Sequence, residues 1–480
     1  MALFKLTTLR VALVWTAMLS GCALTPDYTR PELDVPTSYH RDSVQPASID
    51  QGESIANLAW WQVFADAQLQ TLIRSALAEN KDIAVALSRV AQAASQLTST
   101  RAKQYPFFDV SAGASRGRQS QLLLPGAGIA DSFSVMGNMS FEVDLWRKLS
   151  RSTESARASL LASEAVQRHV ALSIVANVAS AYLLLLDLDE RLVIAQRTVD
   201  SRRGSLAIIQ ARFDRGVSPE LDVNQAQIEL AIAEVAIATF QRQIAQTENA
   251  LAILLGRNPG SIARGLSLRE QQLLPEIPTG LPSELLQRRP DVVAAEQSLH
   301  AETALIGVAE ALRYPSFSLT GSYGALSDDL DDLNNGDAES WGVAGSLFAP
   351  ILNWGQLKAQ SEAQRARAEQ ALQTYEATLQ QALREVADAL VAVQTYRREH
   401  QAYRRQAAAA RNAERLSQAR YDAGIVDYLE VQELSRSRFS AELNESQSYQ
   451  SVMNALVELY RSLGGGWINE QPVSAPVQTQ

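Results

Sequence analysis

Apolar positions along the chain follow a helical period, switch to strict alternation, and return to a helical period, and this succession occurs twice. After Trp60-Trp61-Gln-Val-Phe64, residues Leu69, Leu72, Ile73 and Leu77 recur at helical spacing and predict a helical region reaching about residue 104. From Phe108 the period becomes two, with Phe108, Val110, Ala112 and Ala114 set against Asp109, Ser111, Gly113 and Ser115. After a loop at 116–132, Phe133, Val135, Met139, Phe141, Val143 and Leu145 alternate with Ser134, Asn138, Ser140, Glu142 and Asp144. The second half repeats this with Phe317, Leu319, Tyr323 and Ala325, then with Trp341, Val343, Leu347, Ala349 and Ile351. The predicted strands cover about 105–119, 133–146, 314–326 and 340–353. Runs of about ten residues suit tilted membrane-crossing strands, and soluble hairpins give the same alternation. Four strands cannot close a barrel, so a membrane location requires several chains to share one.

Long helical runs follow each strand pair, at 148–216 and 218–256 and again at 355–424 and 427–463. No proline falls between 126 and 218 or between 351 and 471, and the segments are rich in Ala, Leu, Gln and Arg. A helix of that size is about 100 Å long at a rise of about 1.5 Å per residue, far more than one globular core needs. Its Ala- and Leu-rich apolar positions suit close helix–helix packing in a coiled-coil wall. Gly204 is a candidate break.

The turns between these runs are copies. Ala211-Arg-Phe-Asp-Arg-Gly-Val-Ser-Pro-Glu-Leu-Asp-Val223 matches Ala419-Arg-Tyr-Asp-Ala-Gly-Ile-Val-Asp-Tyr-Leu-Glu-Val431, which lies 208 residues later. Gly216 and Gly424 stand where a helix ends in a left-handed residue. Ser218 then reads as an N-cap with Pro219 at the first helical position, and Asp427 with Glu430 as a capping box. Trp146 and Trp354 share the offset of 208, and Tyr105-Pro106 and Tyr314-Pro315 are 209 apart. The chain is therefore read as a tandem duplication, with a first repeat at 57–256 and a second at 290–463. The Pro- and Gly-rich stretch 257–289 reads as a linker with short helices lying against the outside of the helical body, and 464–480 as a loose tail.

Net charge of −10 excludes a basic nucleic-acid face. The single cysteine excludes a disulfide or a zinc cluster, and His40, His169, His300 and His400 are scattered without ligand spacing. No polar cluster suggests catalysis, so an enzyme is not expected and no cofactor or metal is implied. Lys5 and Arg10 precede the short apolar core Val11–Leu19, which ends in Leu19-Ser20-Gly21-Cys22. That tetrapeptide resembles a bacterial lipobox. The resemblance implies a lipoprotein signal peptide at 1–21, and a mature chain starting at Cys22 with diacylglycerol and an N-acyl chain. Ala23 favours sorting to the outer membrane, and several acyl chains supply stable anchoring. Residues 22–56, broken by Pro26, Pro31, Pro36 and Pro46, read as an extended lipidated tether.

Leu281-Pro-Ser-Glu-Leu-Leu-Gln-Arg-Arg-Pro-Asp-Val-Val-Ala-Ala-Glu296, with Tyr314-Pro-Ser-Phe-Ser-Leu-Thr-Gly321, resembles the central signature of the outer-membrane efflux proteins. These are the TolC-like channels, and the lipobox, Trp60-Trp61 and Gly464-Gly-Gly-Trp467 are similar to their OprM-like lipoprotein branch. Pro290 suits a first helical turn and Asp291 its dipole. The resemblance implies a mainly α fold with a membrane β-barrel portion. In it a homotrimer of the duplicated unit forms a 12-stranded barrel and an α-helical periplasmic tunnel. It implies a periplasmic adaptor (a membrane fusion protein) and an inner-membrane resistance–nodulation–division pump as partners, and export of drugs or other small toxic molecules. Type I secretion is the alternative within the channels, and a lipid-anchored coiled-coil scaffold without a pore the alternative outside them. In a trimer each tip residue forms a ring of three. Asp214, Glu220, Asp222, Asp422, Asp427 and Glu430 are the gate candidates, Asp427 foremost by its resemblance to the selectivity-gate segment of these channels. Asp427 also reads simply as an N-cap, and Asp222 as part of a solvated face. Arg212 and Arg420 are candidates to bridge neighbouring helices and hold the tip shut.

Overall fold

The computed structural model describes residues 27–32, 36, 64–118, 122, 128–271 and 288–465. Cys22, Trp60-Trp61, the signature residues 281–287 and the tail from 466 lie outside the described residues. The elements are α1 (Ala67–Glu79), α2 (Lys81–Ala102), β1 (Phe107–Arg118), β2 (Ile129–Val143), α3 (Lys148–Asp214), α4 (Glu220–Leu254), α5 (Pro290–Ala311), β3 (Ser316–Ser327), β4 (Glu339–Phe348), α6 (Gln356–Asp422) and α7 (Tyr428–Ser462). Helices α2 and α5 have 22 residues each, α3 and α6 67 each, and α4 and α7 35 each. The chain divides into two compact units.

The first unit comprises Met1–Glu32, Arg89–Glu164 and Ala294–Glu376 and holds a four-stranded antiparallel sheet in the order β1-β2-β3-β4. Its register gathers like with like. Val110, Gly137, Tyr323 and Trp341 form one row across the strands, and Asp109, Asn138, Ser322 and Gly342 form the next. Successive rows face opposite sides, so one face is mainly apolar and the other mainly Ser, Thr, Asn, Gly and Asp, with Phe107, Met136, Leu326 and Phe348 among them. A water-soluble sheet covers its apolar face. Here Val110 is 78 % exposed, Trp341 72 % and Val343 76 %. Among the described residues β1 and β4 each pair on one side only, leaving two open edges.

Also in this unit, residues 27–32 are docked rather than loose, contrary to the reading of 22–56 as a tether. Arg151 donates to Asp27 at 2.7 Å, and Arg30 makes a two-pronged pair with Glu296 at 2.7 and 2.5 Å. Tyr28 stacks on His300 with ring centroids 4.4 Å apart. Burial, reinforced by the Glu296 charge, pushes its hydroxyl up to about 12.

The second unit comprises Leu33–Ser88, Ala165–Val293 and Ala377–Gln480. Its core joins Leu69, Ile73 and Ala76 of α1, Val178, Tyr182 and Leu185 of α3, Leu251 of α4, and Leu456 and Leu459 of α7. Helix α3 is apolar enough to cross a membrane by composition, but 61 % of that stretch is buried in protein. It therefore serves as the core helix. The first helical region, read as reaching about residue 104, consists of two helices, α1 and α2, ending at Ala102. Asn80 leaves the helical backbone at ψ 134, and its Oδ1 caps α2 through Asp82 N at 2.8 Å and Ile83 N at 3.2 Å. Gly204 breaks nothing, since α3 runs through it. Tertiary packing along a 67-residue helix outweighs a glycine penalty of about 1 kcal/mol.

Two carboxylates, the buried Asp66 and the half-buried Asp291, help hold this unit together. Asp66 caps α1 with one oxygen and with the other accepts from Tyr182 Oη at 3.1 Å, Leu266 N at 3.1 Å and Gln271 Nε2 at 2.8 Å. The described start of the linker, 257–271, is mostly exposed and is pinned to the helical body by its buried residues Ile262, Leu268 and Gln271. Asp291, in the first turn of α5, grips Arg289 at 3.0 and 2.6 Å. Burial alone would raise this carboxyl, but the Arg289 bonds and charge prevail and hold it below the usual carboxylate range.

Candidate functional site

Each 67-residue helix ends in the same turn. Gly216 N–H donates to Phe213 O at 2.8 Å and Val217 N–H to Arg212 O at 2.9 Å. The second turn has Gly424 bonded to Tyr421 O at 2.9 Å and Ile425 to Arg420 O at 2.9 Å. These crossed bonds are the Schellman closure, which needs a left-handed residue. Gly216 has φ 76 and Gly424 φ 72. A Cβ would meet nothing within 4 Å at either position, so the backbone angle, not space, demands glycine there.

The return helices begin differently from the sequence reading. α4 starts at Glu220, with Pro219 itself at the cap position (ψ 157) and no side-chain cap bond, so Ser218 is not the N-cap. The extended ψ of Pro219 delays the first helical residue by one. Asp427 does cap α7, accepting from Glu430 N at 3.1 Å. The Glu430 carboxylate does not close the box. It accepts instead from Arg420 Nη1 at 3.1 Å and Ser417 Oγ at 3.3 Å, because a guanidinium on the preceding helix is a stronger donor than a backbone amide.

Around the turns, Arg212 donates to the Tyr421 hydroxyl, its guanidinium 4.9 Å from the ring centroid, and Tyr421 in turn lies 5.7 Å from Tyr428. Asp214 accepts from Gln210 and Asp422 from Gln418, each at 2.9 Å, one turn back on their own helices. Glu220 and Asp222 stand in the first turn of α4, where they complement its positive end. Asp214, Glu220, Asp422 and Asp427 are exposed and Asp222 and Glu430 half-buried. The structure thus brings together Arg212 with Tyr421 and Arg420 with Glu430, and leaves the other carboxylates facing solvent in the single chain. Cys22 lies outside the described residues.

Farther from the turns, the two helical hairpins are joined by charge pairs that sequence reasoning missed. Glu229 of α4, 4 % exposed, takes Arg202 of α3 at 2.8 Å and Arg436 of α7 at 2.6 Å. Arg202 also lies 5.3 Å from the centroid of the Phe439 ring. Burial lowers the Arg202 pKa even against the Glu229 charge. Glu442 of α7 takes Arg197 of α3 at 2.5 Å. Asp187 accepts from Ser446 Oγ at 2.6 Å and pairs with Arg191 at 2.8 Å, and its burial nevertheless pushes its carboxyl up. The available signal was Glu229 itself, a carboxylate on the apolar stripe of Ala226 and Ala233. Among the described residues no three His, Cys, Asp or Glu side chains are grouped to hold a metal.

Comparison with known proteins matches residues 72–257 and 281–465 to the outer membrane efflux protein family. The chain is similar to outer membrane protein OprJ of Pseudomonas aeruginosa, at 35% identity over 463 residues and 95% of each chain. It is similar to the cation efflux system protein CusC of Escherichia coli, at 33% identity, covering 94% of this chain and 96% of that one. It superposes on the open-state MtrE outer membrane channel of Neisseria gonorrhoeae with a TM-score of 0.84 and 30% identity, over 93% of this chain and 98% of that one.

Proposed function

The chain belongs to the outer membrane efflux protein family and is the outer-membrane channel component of a tripartite efflux system, and from that premise we propose that three copies build the conduit. It resides in the outer membrane and extends into the periplasm, and its role is transport rather than catalysis. The observation that carries the three-copy reading is the sheet: four strands, two open edges and an apolar face left uncovered. In lipid an open edge is forbidden, so copies must pair edge to edge. Twelve strands in all, four from each copy, close a barrel with Val110, Tyr323, Trp341 and Val343 toward lipid and Asp109, Ser111 and Asn138 toward the lumen.

The long hairpins of the three copies continue the passage as a helical tunnel, and the Gly216 and Gly424 turns form its periplasmic tip. There Asp427, with Asp214, Glu220, Asp222, Asp422 and Glu430, becomes a set of threefold carboxylate rings that favour cations. Arg212 on Tyr421 and Arg420 on Glu430 hold the tip shut. A periplasmic adaptor and an inner-membrane pump of the resistance–nodulation–division class dock at this end. The cargo is drugs or other small toxic molecules selected by the pump. Cys22 carries diacylglycerol and an N-acyl chain, anchoring the chain beside the barrel.

Detergent-extracted protein should run at three times the mass of the mature single chain and conduct ions in planar bilayers. A monomer without conductance would leave only the lipid-anchored scaffold. Cys22→Ala should abolish incorporation of labelled palmitate, and unchanged labelling would remove Cys22 as the acceptor.

A further inference from the structure

The internal repeat governs the sheet and its junctions, yet one contact occurs once where the repeat provides the residues for two. Between β2 and α3, Trp146 donates its indole N–H to Pro315 O at 2.7 Å, and its ring lies 5.1 Å from that of Tyr314. The counterpart of Trp146, 208 residues on, is Trp354; the counterparts of Tyr314 and Pro315, 209 residues back, are Tyr105 and Pro106. Both halves of a second contact are thus carried by the chain. Trp354 is 90 % exposed and Tyr105 58 % exposed, whereas Trp146 is half-buried.

The strand ladders show the same imbalance. Under these two offsets the β1–β2 pair Phe108↔Met139 becomes Phe317↔Leu347, which is a pair of the β3–β4 ladder. Among the described residues the β2–β3 ladder has no second instance. Its image would join β4 to β1, turning Val143↔Phe317 into Ile351 opposite Phe108. Those residues are 94 % and 71 % exposed. Within one chain the image cannot form, since β1 and β4 are opposite edges of the sheet, about 14 Å apart at about 4.8 Å per strand spacing. The offsets also preserve facing: Leu347, Ala349 and Ile351 come opposite Ala112, Val110 and Phe108, which continues the apolar face across that end of the seam, while Trp341 and Val343 come opposite Arg118 and Arg116 at the other end.

We infer that Trp354 docks on Tyr105 and Pro106 of a second copy of this chain, donating its indole N–H to the Pro106 carbonyl, with Ile351 facing Phe108 at the seam. This rests on the three-copy reading above and adds to it the residues and register of the joint. Each copy supplies Trp354 to one neighbour and Tyr105-Pro106 to the other, so the contact closes only when the ring closes. Trp146 makes the same contact inside the chain, so the seam between copies copies the seam within one.

The test is a Tyr105→Cys/Trp354→Cys double variant treated with a short bis-maleimide, with the two single variants, which keep Cys22, as controls. The expected result is covalent dimer and trimer in the double variant alone. A double variant that sediments as a trimer yet does not link overturns the docking and leaves the three-copy reading standing. Wild-type protein that sediments as a monomer overturns both. Should the double variant not assemble, Trp354→Phe and Trp354→Ala decide. The proposal expects detergent-solubilised trimers to dissociate at lower temperature for Phe and lower still for Ala, with helical content unchanged. Dissociation at the wild-type temperature for both overturns it.

Discussion

The Arg212 guanidinium lies 4.9 Å from the Tyr421 ring centroid and donates to its hydroxyl, tying the last turns of two 67-residue helices through one contact. Tyr421→Phe removes the acceptor and keeps the ring; Arg212→Ala removes both attractions. Each is worth about 1 kcal/mol at a half-exposed site, a few-fold change in an opening equilibrium. Conductance in planar bilayers should therefore rise from wild type to Tyr421→Phe to Arg212→Ala. Equal conductance in all three would take this contact out of the gate.

Asp427 has two roles that one substitution cannot separate, since it caps α7 and carries charge. Asn caps about as well as Asp, whereas Ala loses about 1 kcal/mol of helix stability. Asp427→Asn should thus lower cation selectivity while leaving thermal stability intact, and Asp427→Ala should lower both and raise conductance. Unchanged reversal potentials in the Asn variant would reduce Asp427 to a cap.

What was legible in the sequence had local causes. Gly216 and Gly424 announce themselves because a left-handed turn excludes other residues, and Phe108 and Val110 because a strand side chain alternates faces. What was missed had distant causes. Glu229 needs Arg436, 207 positions away, and Arg30 needs Glu296, 266 away, so neither pairing leaves a trace in spacing. Prolines around Arg30 argued for an extended tether and gave no sign that residues 27–32 are pinned. Asn80 interrupts a helix without disturbing the apolar rhythm, because α2 restarts in nearly the same phase.

Glu229 is the sole carboxylate ion-paired with Arg202 among the described residues, and both side chains are nearly inaccessible, at 5% and 6%. Glu229→Ala strands a buried guanidinium, which costs about 3–5 kcal/mol. Arg436, 53% exposed, shares the same carboxylate from the water side, and its loss should cost less than about 1 kcal/mol. Thermal unfolding followed by circular dichroism should rank Glu229→Ala far below Arg436→Ala. Similar midpoints would mean that the buried pair contributes no more than an exposed one.

Gly216 and Gly256 share a positive φ, 76 and 72, but not a neighbourhood. At Gly216 an added Cβ meets only solvent, so Gly216→Ala should cost about 1–2 kcal/mol of local strain. At Gly256 the Cβ would sit 2.2 Å from the Glu79 carbonyl oxygen, and backbone must move. Gly256→Ala should therefore depress the melting temperature clearly more than Gly216→Ala. The reverse order would mean that the α1–α2 junction yields easily.

Glu310 of α5 offers a pH test with a definite sign. Its carboxylate accepts from Ser361 Oγ on α6, from Arg365 Nη2 at 3.0 Å and from Arg313 Nη1 at 2.8 Å. The Ser361 bond, with those to the two arginines, outweighs burial and holds the carboxyl below its ordinary 4.5. A carboxyl depressed in the folded state contributes stability that is fully present above the unfolded value and lost as pH falls through the folded one. Glu310→Gln should thus lower the melting temperature at pH 7, and the gap to wild type should narrow below about pH 4.5, closing once both forms are uncharged there. A gap constant down to pH 3 would show that the hydrogen-bond geometry, which Gln partly keeps, matters and the charge does not.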